Sequence, residues 1–251
     1  MLYDILAIQT LYGVNPETNK ENNSSYTFKT GADAVQAIWD AGGTGDVIDA
    51  STQTKAVTID LRPGHFSFVG DDENKSQQLI SIAYQVAGQE NNWIENAKGG
   101  TGNDKLIGND AANELTGGKG NDMLEGGAGN DTYIYTSGDG FDAITDSDGS
   151  GKILFDNIEI KGQTGVANDY WEQAGDTWQD KANHINYNLI KLADGSQDLV
   201  IATTNGATRI KNWHAGKLGI TLGAPTTPPP TPPTPPTYAL TPTGDRKPID
   251  F

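Results

Sequence analysis

Four consecutive nine-residue units hold the residues whose types and spacing could do chemistry: GGTGNDKLI, GNDAANELT, GGKGNDMLE and GGAGNDTYI, beginning at Gly99, Gly108, Gly117 and Gly126. The sixth place is Asp104, Asn113, Asp122 or Asp131; the eighth is Leu106, Leu115, Leu124 or Tyr133. Glycines allow the backbone to turn tightly, so carbonyl oxygens can converge on one point, and the sixth residue adds a side-chain oxygen. Carbonyls and carboxylates are the hard ligands of calcium, which takes roughly six to eight of them. One turn supplies too few, so a stacked neighbour must complete the shell. The candidate ligands are Gly99, Gly100, Thr101, Gly102 and Asp104; Gly108, Asp110 and Asn113; Gly117, Gly118, Lys119, Gly120 and Asp122; and Gly126, Gly127, Ala128, Gly129 and Asp131.

Short strands must position these turns. The eighth residue of each unit points inward and its neighbours outward, by the period of two. If successive units lie on opposite sides of a flattened coil, Asp104 sits above Asp122 on one edge and Asn113 above Asp131 on the other. The apolar core is thin. One buried Leu per unit contributes about 1.5–3 kcal/mol, whereas ordering each backbone residue costs about 1–2 kcal/mol, and the aspartates repel one another. The segment is therefore expected to be largely disordered without calcium and to fold on binding two to four ions. A linker would have no reason to keep four apolar residues in phase. The nonapeptide resembles the calcium-binding repeat of RTX proteins. The second unit is degenerate, since GNDAAN lacks two glycines and the Asp.

The chain has 251 residues, 33 acidic against 17 basic, and a formal net charge of −16. That balance argues against nucleic acid or an anionic membrane as a direct partner and suits divalent cations. Zero Cys excludes a disulfide scaffold. No run of 18 apolar residues exists, so no transmembrane helix is expected. The N-terminus lacks a basic region and a small-residue cleavage site, so export by a route other than a signal peptide is expected.

Residues 2–12 carry a helical apolar stripe; with the polar loop that follows they form a segment 1–24. From 25 to 98, SYTF, AVQAIWD, DVIDAS, AVTIDL, HFSFV and LISIAYQVA predict a β-rich, sandwich-like cap. Here the pattern is similar to the serralysin family of secreted zinc metalloproteases. MLYDILAIQTLYG, AIWDAGGTGDVIDAS and WIENAKGGTGNDKLIGNDAANELTGG resemble, in that order, the part of the family that follows its catalytic domain. The resemblance implies a further calcium at the head of the roll, held through Asp40, Gly42, Gly43, Asp46 and Glu95. Gly45 is an extra residue before Asp46, and the upstream loop reads NKENNSS. It also implies secretion into the extracellular space through the type I secretion machinery. The HExxH zinc motif is missing: His65, His184 and His214 have no Glu or His partner at that spacing. No enzymatic activity is expected of this chain.

Beyond Tyr135 the period is interrupted by two residues. SGDGFDAIT then places Asp142 as a last ligand, which extends the roll to 99–145, and DSDGSG predicts a plain turn. Residues 146–224 are expected to form a mostly antiparallel β cap, with hairpins at Asp194-Gly195 and Asn205-Gly206. KILFDNIEI suggests a strand pair or one long strand. Trp171 and Trp178 could form an aromatic patch for a protein or glycan ligand, with sheet core as the simpler reading. Residues 225–251 read as a Pro-rich spacer and tail, after which more protein is expected. The fold class is thus all-β: a parallel β-roll, a calcium-binding RTX solenoid, capped by β-sandwich-like and antiparallel segments and preceded by a short helix. The function is a calcium-dependent module of a secreted bacterial protein. Its rivals are the accessory part of a serralysin-like zinc protease and an adhesin segment of a large RTX protein.

Overall fold

The computed structural model describes residues 23–28, 34–40, 42–43, 45–70, 78–83, 93–163, 171–174 and 176–223. The helix expected over 2–12, most of the loop after it, and the Pro-rich run with its tail lie outside these residues. Two long sheets face each other across the core. One consists of β1 (Ser25–Thr27), β3 (Val47–Asp49), β7 (Asn96–Lys98), β9 (Glu114–Thr116), β11 (Asp131–Tyr135), β13 (Gly151–Phe155) and β14 (Ile158–Glu159), in that order. All its pairings are parallel except the β13–β14 hairpin, whose turn residues Asp156 and Asn157 have φ of 48° and 65°.

The other sheet has twelve strands. Its parallel centre is β4 (Val57–Asp60), β8 (Lys105–Ile107), β10 (Met123–Glu125), β12 (Phe141–Thr145) and β20 (Gly206–Ile210). On one side β5 (Phe66–Val69) and β6 (Gln78–Ile82) continue antiparallel, and β2 (Ala34–Ile38) joins β6 in parallel. On the other, β19 (Gln197–Thr203), β18 (Ile185–Lys191), β17 (Thr177–Asp180) and β16 (Trp171–Ala174) form an antiparallel meander. A small pair, β15 (Gly162–Gln163) with β21 (Thr221–Leu222), completes the set.

Register explains why the eighth residue is apolar. In one sheet Ile59, Leu106, Leu124, Ile144 and Ile210 stand opposite one another in sequence. In the other, Ile48, Ala97, Leu115, Tyr133 and Ile153 do the same. Every one of these residues is buried, and both ladders belong to one core. The neighbours turn outward, as Met123 (44% exposed) and Phe141 (68%) do.

The coil runs beyond the four units at both ends. β3, β4 and β7 precede them, of which only β3 follows a glycine turn (Gly42, Gly43 and Gly45), and β13 and β20 follow them. After residue 146 most pairings are antiparallel, as expected, but two strands join the roll in parallel. β13 adds in parallel to β11, and β20 to β12, because their inward Ile153 and Ile210 extend the apolar ladders at the strands' own period of two. The hairpins expected near Asp194-Gly195 and Asn205-Gly206 are present as β18–β19 and β19–β20. Trp178 is buried within the core cluster opposite Tyr187, so it is not part of an exposed aromatic patch; the side chain of Trp171 lies outside the described residues.

Leu124→Ala should cost about 2–5 kcal/mol, the usual range for a buried leucine. Met123→Ala, one residue away and outward, should stay within about 0.5 kcal/mol. Urea unfolding of the two variants under identical ionic conditions checks the ladder.

Candidate metal centre

The turns that feed the two sheets form two rows. At the entry to β8, β10 and β12 stand Asp104, Asp122 and Asp142; at the entry to β7, β9 and β11 stand Glu95, Asn113 and Asp131. All six are buried. Each carries a link to the coil above. Asp104 N–H donates to Asp122 Oδ1 at 2.7 Å, Asp122 N–H to Asp142 Oδ1 at 2.9 Å, and Asn113 N–H to Asp131 Oδ1 at 2.9 Å. The first row begins with Val57 N–H to Asp104 Oδ1 at 2.8 Å. Asp142, expected as the last ligand, occupies the same rung position as the aspartates of the units.

The glycines are required by the approach of neighbouring coils. A Cβ on Gly118 would collide with Gly100 O, on Gly120 with Gly102 O, on Gly127 with Asn109 O, and on Gly129 with Ala111 O. These four residues also have φ between 90° and 130°, where L side chains are strained. On the inner side, Gly99 lies against Gly117 O and Asp104 Oδ2, and Gly108 against Gly126 O and Asn113 Oδ1. The carbonyls of one coil therefore lie directly over the turns of the next. Thr101, Lys119 and Ala128 contribute backbone only: Thr101 and Lys119 are exposed, with N–H groups on Gln53 O and Gly100 O.

Asp122 Oδ2 and Asp131 Oδ2 are buried and have no hydrogen-bond partner, although they lie against the Cα of Gly117 and Gly126. Burial, reinforced by neighbouring aspartates, pushes Asp122 up to about 8 and Asp131 to about 7. Burial also raises Asp142 to about 7, with Asp139 adding its charge. An ionised carboxylate oxygen enclosed among carbonyls is costly unless a cation meets it. The donor set is all oxygen, and it repeats between coils. Among the described residues no three Asp, Glu or His side chains form a cage of their own; a cation here would depend on backbone carbonyls with one or two carboxylates. That is the chemistry of calcium, not of zinc. The residues fit the ion: Gly99–Asp104 would share it with Gly117–Asp122, and 109–113 with Gly126–Asp131.

The head group is assembled too. Asp46 N–H donates to Glu95 Oε2 at 3.0 Å, Ser24 N–H to Asp46 Oδ1 at 2.6 Å, and Tyr26 Oη to Asp40 Oδ2 at 2.6 Å. Gly42 N–H reaches Asp40 Oδ1, and a side chain on Gly43 would strike the Asp46 carboxylate. Asp46 Oδ2 is a third buried orphan. Burial, with the charge of Asp40 adding to it, pushes Asp46 to about 6; burial, with Asp46 and Asp40 adding, pushes Glu95 to about 7. The extra Gly45 is accommodated because it packs against the Asn23 side chain, where a Cβ would not fit.

Asp110, third in its unit like Thr101 and Lys119, is exposed as they are. Asn109 takes the inward place, donating from Nδ2 to Leu61 O and Ile94 O at 3.2 and 2.9 Å. Asn113 Nδ2 donates to Glu95 O and Asn109 Oδ1 at 2.9 Å. Amide protons thus fill the rung above the degenerate unit, while Asn113 Oδ1 still faces Gly108 and the rung below. One expectation needs correction: DSDGSG is more than a turn. Asp146 is buried and accepts Tyr133 Oη at 2.7 Å; Asp148 Oδ2 accepts Gly129 N–H at 3.0 Å. The register pairs Asp131 with Gly151. Asp146 therefore enters from the first place of its turn, a glycine position in the units, and only the register locates it.

Parallel coils with oxygen-lined glycine turns define a β-roll. Residues 3–212 match the family described as Peptidase M10 serralysin C terminal, and the chain belongs to that family. Serralysin of Proteus mirabilis is 39% identical over 126 residues, which is 46% of this chain and 23% of that protein. Serralysin of Photorhabdus luminescens is 39% identical over 127 residues, with 46% and 24% covered, and metallopeptidase AprA of Pseudomonas marginalis has the same figures. The match thus spans about a quarter of the length of these relatives. The family is the C-terminal, non-catalytic region of secreted metalloproteases, and an extracellular location comes with membership.

The raised carboxylates give a signed pH dependence. Their folded values of about 6 to 8 lie above the ordinary 3.8 of Asp and 4.5 of Glu. In chelator their contribution to stability is complete below pH ~4 and is lost as pH rises through 6–8. Melting temperature in EGTA should therefore fall from pH 5 to pH 8, and the affinity for divalent cations should rise over the same interval. Gly118→Ala should destabilise the roll by more than 1 kcal/mol, roughly, through strain and overlap with Gly100 O, which denaturation at saturating cation would register.

Proposed function

We propose that this chain is a calcium-binding RTX β-roll, disordered at low calcium and folded outside the cell, that serves as the non-catalytic companion of a serralysin-type metalloprotease. The observation that carries the reading is the set of buried, unpartnered carboxylate oxygens on Asp46, Asp122 and Asp131, each at the mouth of a glycine turn. Bound calcium would supply the positive charge these oxygens lack. The chain's own residues do the rest. Asp122 and Asp131 tie successive coils through Oδ1 and present Oδ2, the glycines admit the carbonyls, and the leucine ladders exclude water behind them.

The site residues Gly99–Gly102 and Asp104, Gly108, Asp110 and Asn113, Gly117–Gly120 and Asp122, Gly126–Gly129 and Asp131, with Asp142 and the head group of Asp40, Gly42, Gly43, Asp46 and Glu95, belong to this reading. So does the division into a β-rich head (25–98), roll (99–145) and β cap (146–224). An extracellular module of this kind binds in the range of about 10⁻⁴–10⁻³ M, above the calcium level of a cytoplasm. The chain would pass the type I secretion machinery unfolded and order itself on arrival. Relatives named serralysin and metallopeptidase, matched over their shared region alone, support a protease domain elsewhere in the same protein as the partner of this module.

At pH 8, far-UV circular dichroism should show a mostly disordered chain in EGTA and a β spectrum in millimolar calcium; the same spectrum in both overturns the proposal. Asp122→Asn and Asp131→Asn should each weaken calcium binding roughly tenfold or more, measured by calorimetry, whereas Asp110→Asn, at an exposed position, should leave it unchanged.

A further inference from the structure

We infer that Lys217 is a tethered cation, filling with its own ammonium the last oxygen site of one row in place of calcium. The inference rests on the calcium reading above and concerns where the row of ions stops. Lys217 is 5% exposed. Its Nζ donates to Asp146 O at 3.0 Å, Lys211 O at 3.1 Å and Asn212 O at 3.5 Å. An ammonium has three protons and no acceptor, and three backbone carbonyls from two separate segments meet them. A buried lysine is costly unless its charge is satisfied in this way.

The position of the cage matters as much as its make-up. The register pairs Gly151 with Asp131, so Asp146 holds the first place of its turn, where Gly108 and Gly126 stand in the two turns before it. Gly126 O faces the preceding coil, and the Asp146 carbonyl that Lys217 meets is its counterpart one rung on, where another ion would continue the row. The Asp146 side chain is already committed there. Its Oδ2 accepts Tyr133 Oη at 2.7 Å and its Oδ1 accepts Gly149 N–H at 2.6 Å. Asp131, one rung earlier, keeps Oδ2 without a donor. The chain also bends to deliver the lysine. Gly216, Leu218 and Asn212 have φ of 92°, 53° and 49°, and Leu218 is fully buried with its N–H on Gly149 O at 2.8 Å. Two non-glycine residues in the left-handed region within seven positions are strained, which a merely solvated lysine would not require. The cap is thereby joined to the roll by a charge that no chelator removes.

Calcium stoichiometry of the full chain, by equilibrium dialysis, tests the assignment. Lys217→Ala leaves the carbonyl cage without its cation and should bind one more calcium per molecule than the wild type, while Lys217→Arg should bind the same number. An unchanged number in Lys217→Ala, with wild-type near-ultraviolet circular dichroism in calcium, overturns the inference even if the variant melts earlier. Independently of any variant, wild-type protein with isotope-labelled lysine should show one slowly exchanging ammonium by nuclear magnetic resonance in calcium, and its absence overturns the inference as well. A wild type that binds no calcium at all would instead sink the calcium reading, leaving the ammonium signal as a separate observation.

Discussion

Each coil of the roll hands a backbone N–H to a carboxylate oxygen of the next: Asp104 to Asp122, Asp122 to Asp142, Asn113 to Asp131. That bond commits one carboxylate oxygen and leaves the other inside the turn. At Asp122 and Asp131 the remaining oxygen has no donor, and the surrounding atoms are carbonyls, which cannot supply one. The attraction that joins the coils thus creates a concentration of negative oxygen in the same place. Coil stacking and cation demand are two consequences of one arrangement.

Glycine enters for the same reason. Carbonyls of neighbouring coils lie so close to Gly118, Gly120, Gly127 and Gly129 that no side chain fits, and bringing them closer is what makes the turns rich in oxygen. The apolar ladders behind are only one residue wide, from Ile59 to Ile210 and from Ile48 to Ile153. Such a core excludes water from the turns but is thin for holding the sheets without help from the edges.

Two places in the solenoid show how the protein manages without a cation. At the degenerate second unit, Asn109 and Asn113 aim amide protons at Leu61 O, Ile94 O and Glu95 O. At the far end, Lys217 aims an ammonium at three carbonyls. In both places nitrogen donors meet the oxygens that the coil geometry leaves exposed; at the degenerate unit the strands stay parallel, and only beyond β13 and β20 do the sheets continue as antiparallel strands. Solenoids need such caps because each coil buries its face only against a neighbour.

Much of this was legible in the residues themselves. The nine-residue phase predicted the coil, the two-coil stacking of Asp104 on Asp122 and of Asn113 on Asp131, and the inward Leu106, Leu115 and Leu124, because glycine placement and apolar period are local properties of the chain. Asp142 was legible despite the two-residue interruption, since Gly and Ile keep their spacing around it. The extension of the roll through β4 and β7 was not, for these strands carry the apolar ladder without the glycine turns. Nor was the role of Asn109, whose side-chain amide meets Leu61 O and Ile94 O across 48 and 15 residues. Asp146 and Lys217 are separated by 71 residues, and nothing in either neighbourhood marks a cation site. The sequence alone determined the repeat, its oxygen chemistry and the family resemblance. Only the tertiary structure decided where the row of turns ends, because that depends on carbonyls brought together from segments with no periodic relation to one another.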